Sequence, residues 1–362
     1  MLGLASAGTW AQSTRMSRPD VTPQHTQTPP VDESDNFRQI RNLEWESHPL
    51  PLPPTGPPTW GVVATVRGST TQIARFIAWH LDLGAQSVSI YFDEPDAQQI
   101  KSLAHPRVKL VACDDAHWIR RRTRPEQHQL RQVRNATEEW RNTRHEWLAH
   151  IDVDEYLLPP CPMDEILRDI PEDCALLHLD PVEQLADGDG TAFKRTAADV
   201  GLKKSDLAEV YPTFGPYLRG GFLSHLEGKN LLRAGGRPRA DKVRFGIHMA
   251  FWQGARISNR ITLPDLPLGH AHAPDWHSFR DHLSFRREKG SYRNKEGERF
   301  RLAELLDLLE ETEGEAGFRM LFDEVARASP ELVARLDERD MLLRYPLDLD
   351  RALARWYPEI NT

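Results

Sequence analysis

The chain has 362 residues, with 46 Lys plus Arg against 54 Asp plus Glu and a net charge of −8. That balance excludes broad, sequence-independent nucleic-acid binding, which needs a basic footprint. A composition of 39% hydrophobic and 28% charged residues supports a substantial core, and no apolar run approaches the roughly 20 residues that span a bilayer.

The length suggests about two domains. Residues 1–59 read as a disordered, Pro-rich tail. The stretch from Pro49 to Pro58 lacks many backbone donors and favours polyproline geometry, so it is expected to stay clear of the core. The first ten residues carry no basic region, so no secretory signal is expected. Cys113, Cys161 and Cys174 are odd in number and far apart, which fits neither a disulfide framework nor a paired zinc site. A cytoplasmic location is the expectation.

From Trp60 the pattern changes. Gly61 to Val66 reads as a buried strand, and Ile73, Phe76, Ile77, His80 and Leu81 follow helical spacing up to Gly84, a natural helix terminator. Ser87–Phe92 reads as a second strand that runs into Asp93, Glu94 and Asp96. A short helix near 96–104 and a strand over 107–112 follow. Leu130, Val133, Thr137 and Trp140 mark a helix face. Trp147–Ile151 reads as a strand that enters Asp152-Val153-Asp154-Glu155, and Ala175–Leu179 reads as another. Strands alternating with helices imply parallel βαβ units in an α/β domain, with ligands held beyond the carboxyl ends of the strands. Both acidic clusters, 93–96 and 152–155, fall at such ends. Beyond 182 the chain is Gly-rich and loop-like, with one strand expected over Val243–Trp252. Residues 276–342 read as mainly helical, part of a C-terminal extension over 276–362.

The D-x-D pattern occurs at 152/154, 187/189 and 348/350, close to the roughly two occurrences this aspartate content produces by chance. Placement separates them, because only Asp152 and Asp154 follow a strand that should be buried. Carboxylates there can hold Mg²⁺ or Mn²⁺ against phosphates; equally they can be a solvated turn or cap the next element. His270 and His272 can serve as metal ligands or as hydrogen-bonded core histidines, and His248 has the same two readings. Arg120, Arg121, Arg122 and Arg124 form a basic run that suits solvent or anionic lipid headgroups.

Several segments in order, "RFIAWHLDLGAQSVSIYFDEPD", "EWLAHIDVDEYL", "GKNLLR", "GIHM" and "LGHAHAPDWHSFRDHLSFRREKGSY", resemble the bacterial family-2-like glycosyltransferases with a GT-A core. The resemblance covers roughly residues 60–293. It implies a GT-A-like, mostly parallel sheet flanked by helices, with 60–182 binding a nucleotide-sugar and 183–275 shaping the acceptor side. It further implies that Asp152 and Asp154, with His270 or His272, hold Mn²⁺ or Mg²⁺ on the donor diphosphate, and that Glu155 is structural. Asp93 and Arg67 would meet the nucleotide, with Arg131 and Asn135 on the preceding helix. Lys229 and Arg233 would meet phosphate or an acceptor anion. The base that takes the acceptor's proton is expected among Glu227, Asp241 and Glu183, with Glu227 foremost. The acceptor would be a glycan, a lipid-linked sugar or a small-molecule hydroxyl, with inversion at the anomeric carbon; peripheral contact at the membrane's inner face is an expectation tied to the arginine run and the tail. Where the family carries an Asn-Glu pair, this chain has Arg67-Gly68-Ser69. Two other readings stay open: a metal-assisted nucleotidyltransferase or phosphohydrolase, and a non-catalytic nucleotide-binding scaffold.

Overall fold

The computed structural model describes residues 46–52, 56–235, 242–288, 292 and 302–360. In chain order the strands and helices begin with β1 (Ser47–His48), β2 (Trp60–Val66), α1 (Thr70–Asp82), β3 (Ser87–Phe92), α2 (Ala97–Ser102), β4 (Val108–Ala112), α3 (Asp115–Ile119) and α4 (His128–Asn142). There follow β5 (Trp147–His150), β6 (Glu155–Leu157), α5 (Met163–Arg168), β7 (Leu176–Leu179), β8 (Pro181–Gln184), β9 (Ala192–Lys194), α6 (Leu207–Val210) and β10 (Lys229–Arg233). The remainder comprises β11 (Val243–Phe245), β12 (Ala250–Trp252), β13 (Ala255–Ile257), β14 (Arg260–Thr262), β15 (Leu268–His270), α7 (Trp276–Glu288), α8 (Leu302–Thr312), α9 (Glu315–Val325), α10 (Pro330–Asp337), β16 (Leu342–Arg344) and α11 (Leu349–Trp356).

The main sheet has the order β14-β7-β10-β5-β2-β3-β4. β2, β3, β4 and β5 run parallel, β10 is antiparallel to both β5 and β7, and β14 is parallel to β7. The sequence explains the burial: β2 (WGVVATV) and β5 (WLAH) are nearly unbroken apolar runs, as expected for strands covered on both faces. The chain steps outward from β2 to β3 to β4, then returns past β2 to form β5. The strand order therefore reverses between β2 and β5, and the crevice beyond their carboxyl ends is where such sheets take ligands.

Ser69 accepts a hydrogen bond from the Gln72 N–H and starts α1, so the Arg67-Gly68-Ser69 segment is a helix cap at the end of β2. Gly84 follows α1 with φ +94°, the left-handed geometry expected of a terminating glycine. A second sheet, β16-β9-β8-β15-β6, continues from the end of β5 through β6. A small sheet, β1-β13-β12-β11, covers one side.

Three segmental expectations need correction. Residues 46–52 do not stand off as a tail. Ser47 and His48 pair with Arg256 and Ile257, and Leu50 is buried, with its N–H and C=O both held by the Asn259 side-chain amide. One apolar residue with its backbone satisfied is enough to dock a proline-rich strand; residues 1–45 and 53–55 of that segment lie outside the described residues. Val243–Trp252 is not one strand, because residues 246–249 turn the chain between β11 and β12. The C-terminal segment is largely helical as expected, but it is woven into the sheets rather than simply appended. β16 pairs with β9 in the second sheet, and α11 lies against α1, with Leu353 and Tyr357 in the same core as β2 and β5.

Candidate functional site

β5 ends at His150, and the chain crosses from the first sheet to the second through Ile151, Asp152, Val153 and Asp154. A tight turn makes the crossing: the Glu155 N–H donates to the Asp152 carbonyl at 3.0 Å, and the Asp152 N–H donates back to Glu155 Oε2 at 2.8 Å. β10 runs antiparallel, so its first residue, Lys229, reaches the same edge as the last residue of β5. Gly228 permits this, since a Cβ there would lie 1.8 Å from the Leu179 carbonyl oxygen. β15 brings His270 opposite Glu155 on one side and opposite Glu183 on the other.

The convergence is close. Lys229 Nζ lies 2.6 Å from Asp152 Oδ2 and 3.6 Å from Glu155 Oε2. Gln132, from α4, donates to Asp152 Oδ1 at 2.7 Å. His270 Nε2 lies 3.5 Å from Asp154 Oδ2. The Lys229 and Glu155 side chains are fully buried, whereas those of Asp152 and Asp154 keep 28% and 33% of their surface. The two aspartates are thus the edge of the cluster that faces outward.

The charges respond to burial and to one another. Burial works against ionised Asp152, but Lys229 outweighs it and holds the carboxyl far below the usual range. Lys229 is likewise opposed by burial and then raised by Asp152 and Glu155, so its ammonium persists. Burial pushes Glu155 up to about 7 despite Lys229. Burial would lower His270, but Asp154 and then Glu155 raise it above the ordinary imidazole value. Burial holds His225 down to about 4.

These contacts bear directly on the cation expected at Asp152 and Asp154. Both oxygens of Asp152 are engaged, one by Gln132 and one by the Lys229 ammonium, and the nearer oxygen of Asp154 faces His270. As arranged, the pair does not fit an oxygen-ligated Mn²⁺ or Mg²⁺, because a side-chain cation already takes the place of the ion. His272 also departs from expectation: its Nε2 is bonded to the Tyr292 hydroxyl at 2.8 Å, and it sits beside Arg286 rather than among the carboxylates.

The remaining predicted residues divide cleanly. Asp93 is gripped by Arg131 through two 2.6 Å bonds and by Arg124 at 3.3 Å. Burial opposes its charge, but the arginines prevail and hold the carboxyl below its ordinary value. Arg67 is largely exposed at the end of β2 and pairs with Glu94 at 3.1 Å. Asn135 is not open to the site. It is fully buried, bonded to Thr65 Oγ1 at 3.0 Å and to His117 Nε2 at 3.1 Å, and it ties α4 to β2 and α3. Arg233 belongs to the opposite edge, since four residues of strand separate it from Lys229 by about 13 Å. There it donates to the Glu172 and Pro171 carbonyls at 2.9 and 3.3 Å and covers the Trp147 ring. Glu183 is a structural acceptor for the Leu223 and Ser224 N–H groups and for Lys194 at 2.9 Å. His248 lies in the turn between β11 and β12 and bonds the Gly228 carbonyl at 2.9 Å. Glu227 is exposed on the loop that leads into β10, and Asp241 lies outside the described residues.

Sequence reasoning missed Gln132 and His225. Gln132 was detectable in principle, because it shares a helical face with Asn135 at i, i+3. His225 had only its nearness to Lys229.

No protein-family model matches the sequence, and neither does any curated protein. Solved structures that overlap the chain include WbbM, a bifunctional glycosyltransferase in its apo form, at 14% identity over 53% of this chain and 34% of that one, with a TM-score of 0.27. Another is residues 1–349 of TarS from S. aureus, at 13% identity over 81% of this chain and 83% of that one, with a TM-score of 0.30. A third is the mannosyltransferase Ktr4p from S. cerevisiae in complex with GDP, at 11% identity over 45% of this chain and 48% of that one, with a TM-score of 0.21. The chain thus spans about a third of the WbbM structure and under half of the GDP-bound Ktr4p structure. Overlaps this shallow carry no functional weight. No helix among the described residues is long and apolar enough to cross a membrane.

Proposed function

We propose that this protein is a glycosyltransferase of GT-A-like architecture that moves a sugar from a nucleoside-diphosphate donor to a hydroxyl on a glycan, a lipid-linked sugar or a small molecule. The observation that carries the reading is the meeting of Asp152, Asp154, Glu155, Lys229 and His270 beyond β5, at the switch between β2 and β5. The mostly parallel sheet with its one reversed strand agrees with the family resemblance of the sequence.

In such a transfer the bond from the anomeric carbon to the diphosphate breaks, a bond to the acceptor oxygen forms, and the acceptor's proton passes to a base. Negative charge develops on the leaving diphosphate and must be met by fixed cations or donors. Arg67 and Arg124 stand at the ends of β2 and β3, and their exposed guanidinium groups suit phosphate or ribose oxygens, while Arg131 is committed to Asp93 and to the Pro125 and Glu126 carbonyls. Lys229 keeps Asp152 ionised, and His270 orients Asp154, so two fixed carboxylates face the crevice to position sugar hydroxyls. Glu227, exposed two residues before Lys229, is assigned as the proton acceptor.

Incubating the full chain with a panel of nucleotide-sugars and candidate acceptors tests the reading. The expected product is the nucleoside diphosphate, at a rate that Asp154→Asn lowers by about 10²-fold or more while the circular dichroism spectrum is kept. Release of pyrophosphate instead would identify a nucleotidyltransferase. Tight nucleotide binding with no turnover on any donor would leave only a binding scaffold.

A further inference from the structure

Behind the two aspartates lies a second set of donors. Glu155, His225 and His270 each place one ligand atom within 4.8 Å of the others, the one group of three or more such residues among those described. Glu155 Oε1, His225 Nδ1 and His270 Nδ1 are all buried without a hydrogen-bond partner. Each such atom ordinarily costs stability, so three together need a common explanation.

We propose that Glu155, His225 and His270 form an enclosed site for a borderline divalent transition metal, Zn²⁺ in chemical type, distinct from an oxygen-ligated Mg²⁺ or Mn²⁺ on Asp152 and Asp154. Two imidazoles and one carboxylate suit zinc and its neighbours, whereas magnesium prefers carboxylates, carbonyls and water. Local structure has already prepared each donor. The other oxygen of Glu155 is bound by the Asp152 N–H at 2.8 Å, which fixes the carboxyl and leaves Oε1 bare. The other nitrogen of His270 faces Asp154 at 3.5 Å, the carboxylate–histidine arrangement that holds a ligating ring in one tautomer. Glu155 and His270 are a directly opposed cross-strand pair of β6 and β15, so two of the three donors ride on a rigid sheet. The carboxyl groups of Asp152, Asp154 and Glu155 outnumber the single Lys229 ammonium, which favours a further cation here. The site stands independently of the reaction proposed above, because its donors and their burial do not depend on a sugar donor.

The test uses tag-free full-length protein stripped with a chelator and titrated calorimetrically with Zn²⁺, Mn²⁺ and Mg²⁺. One equivalent of Zn²⁺ is expected to bind, preferred over Mg²⁺. Asp154→Asn should weaken binding about 10- to 100-fold, the usual cost of losing a ligand's orienting partner. His225→Ala should weaken it further, and His272→Gln should leave it intact. Because a variant could misfold, wild-type protein loaded with Co²⁺ supplies a second measurement: ligand-field bands unlike those of the hydrated ion are expected. The proposal is overturned by the absence of stoichiometric zinc, by a hydrated Co²⁺ spectrum, by binding that ignores His225→Ala, or by binding lost in Asp152→Asn alone.

Discussion

The two ends of β10 make an instructive pair. Lys229 and Arg233 are both buried cations on one five-residue strand, and both lie near buried acids. Arg233 is met by two backbone carbonyls, by Glu146 at 3.5 Å and by the face of Trp147. Its surroundings form a structural joint at the amino edge of the parallel strands, in which only the guanidinium Nε, 3.5 Å from Glu146, lacks a hydrogen bond. Lys229 instead faces three carboxylates, two of them partly open to solvent, beside histidines with unpartnered nitrogens. A buried charge whose neighbours are satisfied is architecture. One whose neighbours keep surplus charge and bare donor atoms is a site awaiting something.

The sharpest way to break this contrast is Lys229→Met. It strands Asp152 and Glu155, so a loss of about 3–5 kcal/mol in urea unfolding is expected, with turnover abolished in whatever remains folded. Arg233→Met should cost about 2–3 kcal/mol through its lost charged hydrogen bonds, while turnover per folded molecule stays at the wild-type level. If both variants lost turnover alike, the two ends would not differ in kind. Asn135→Ala leaves the Thr65 and His117 groups without their buried partner, and about 1–3 kcal/mol should be lost with donor KM unchanged.

A pH experiment probes burial away from both ends. His80 is enclosed in α1 and pushed down to about 4, chiefly by burial. The unfolded chain therefore binds a proton near pH 6.5 that the native state refuses, so stability present above 6.5 is lost as pH falls through about 4. His80→Phe should flatten the pH dependence of Tm over that window. The smallest effect belongs to Arg75→Ala at the exposed pair with Asp350, where about 0.5 kcal/mol or less is expected by the same unfolding assay.

Much of the scaffold was legible in the sequence. Ser87–Phe92 matches its expected strand, α4 spans the face marked by Leu130 and Trp140, and Gly84 closes α1, because apolar periodicity and a left-handed glycine are local signals. The arrival of Asp152, Asp154 and His270 at one place was legible too, through strand ends and motif order. What escaped was partnership. K-x-x-x-R reads as two equivalent cations, but strand geometry sends them to opposite edges of a sheet. Asn135 reads as a site residue until its amide is seen bonded into the core. His225 has no spacing signal, since its place depends on the second sheet folding against the first.

The clasp of α11 on α1 has a consequence for synthesis. Ala352, Leu353 and Tyr357 share the core that β2 and α1 begin, and the Tyr357 hydroxyl donates to the Leu103 carbonyl. The ribosome makes those residues long after α1, so the helix's outer apolar flank must wait uncovered while most of the polypeptide emerges. A nascent chain stalled before residue 349 should accordingly be a strong client for hydrophobic holdases, and release should come only once the clasp is made.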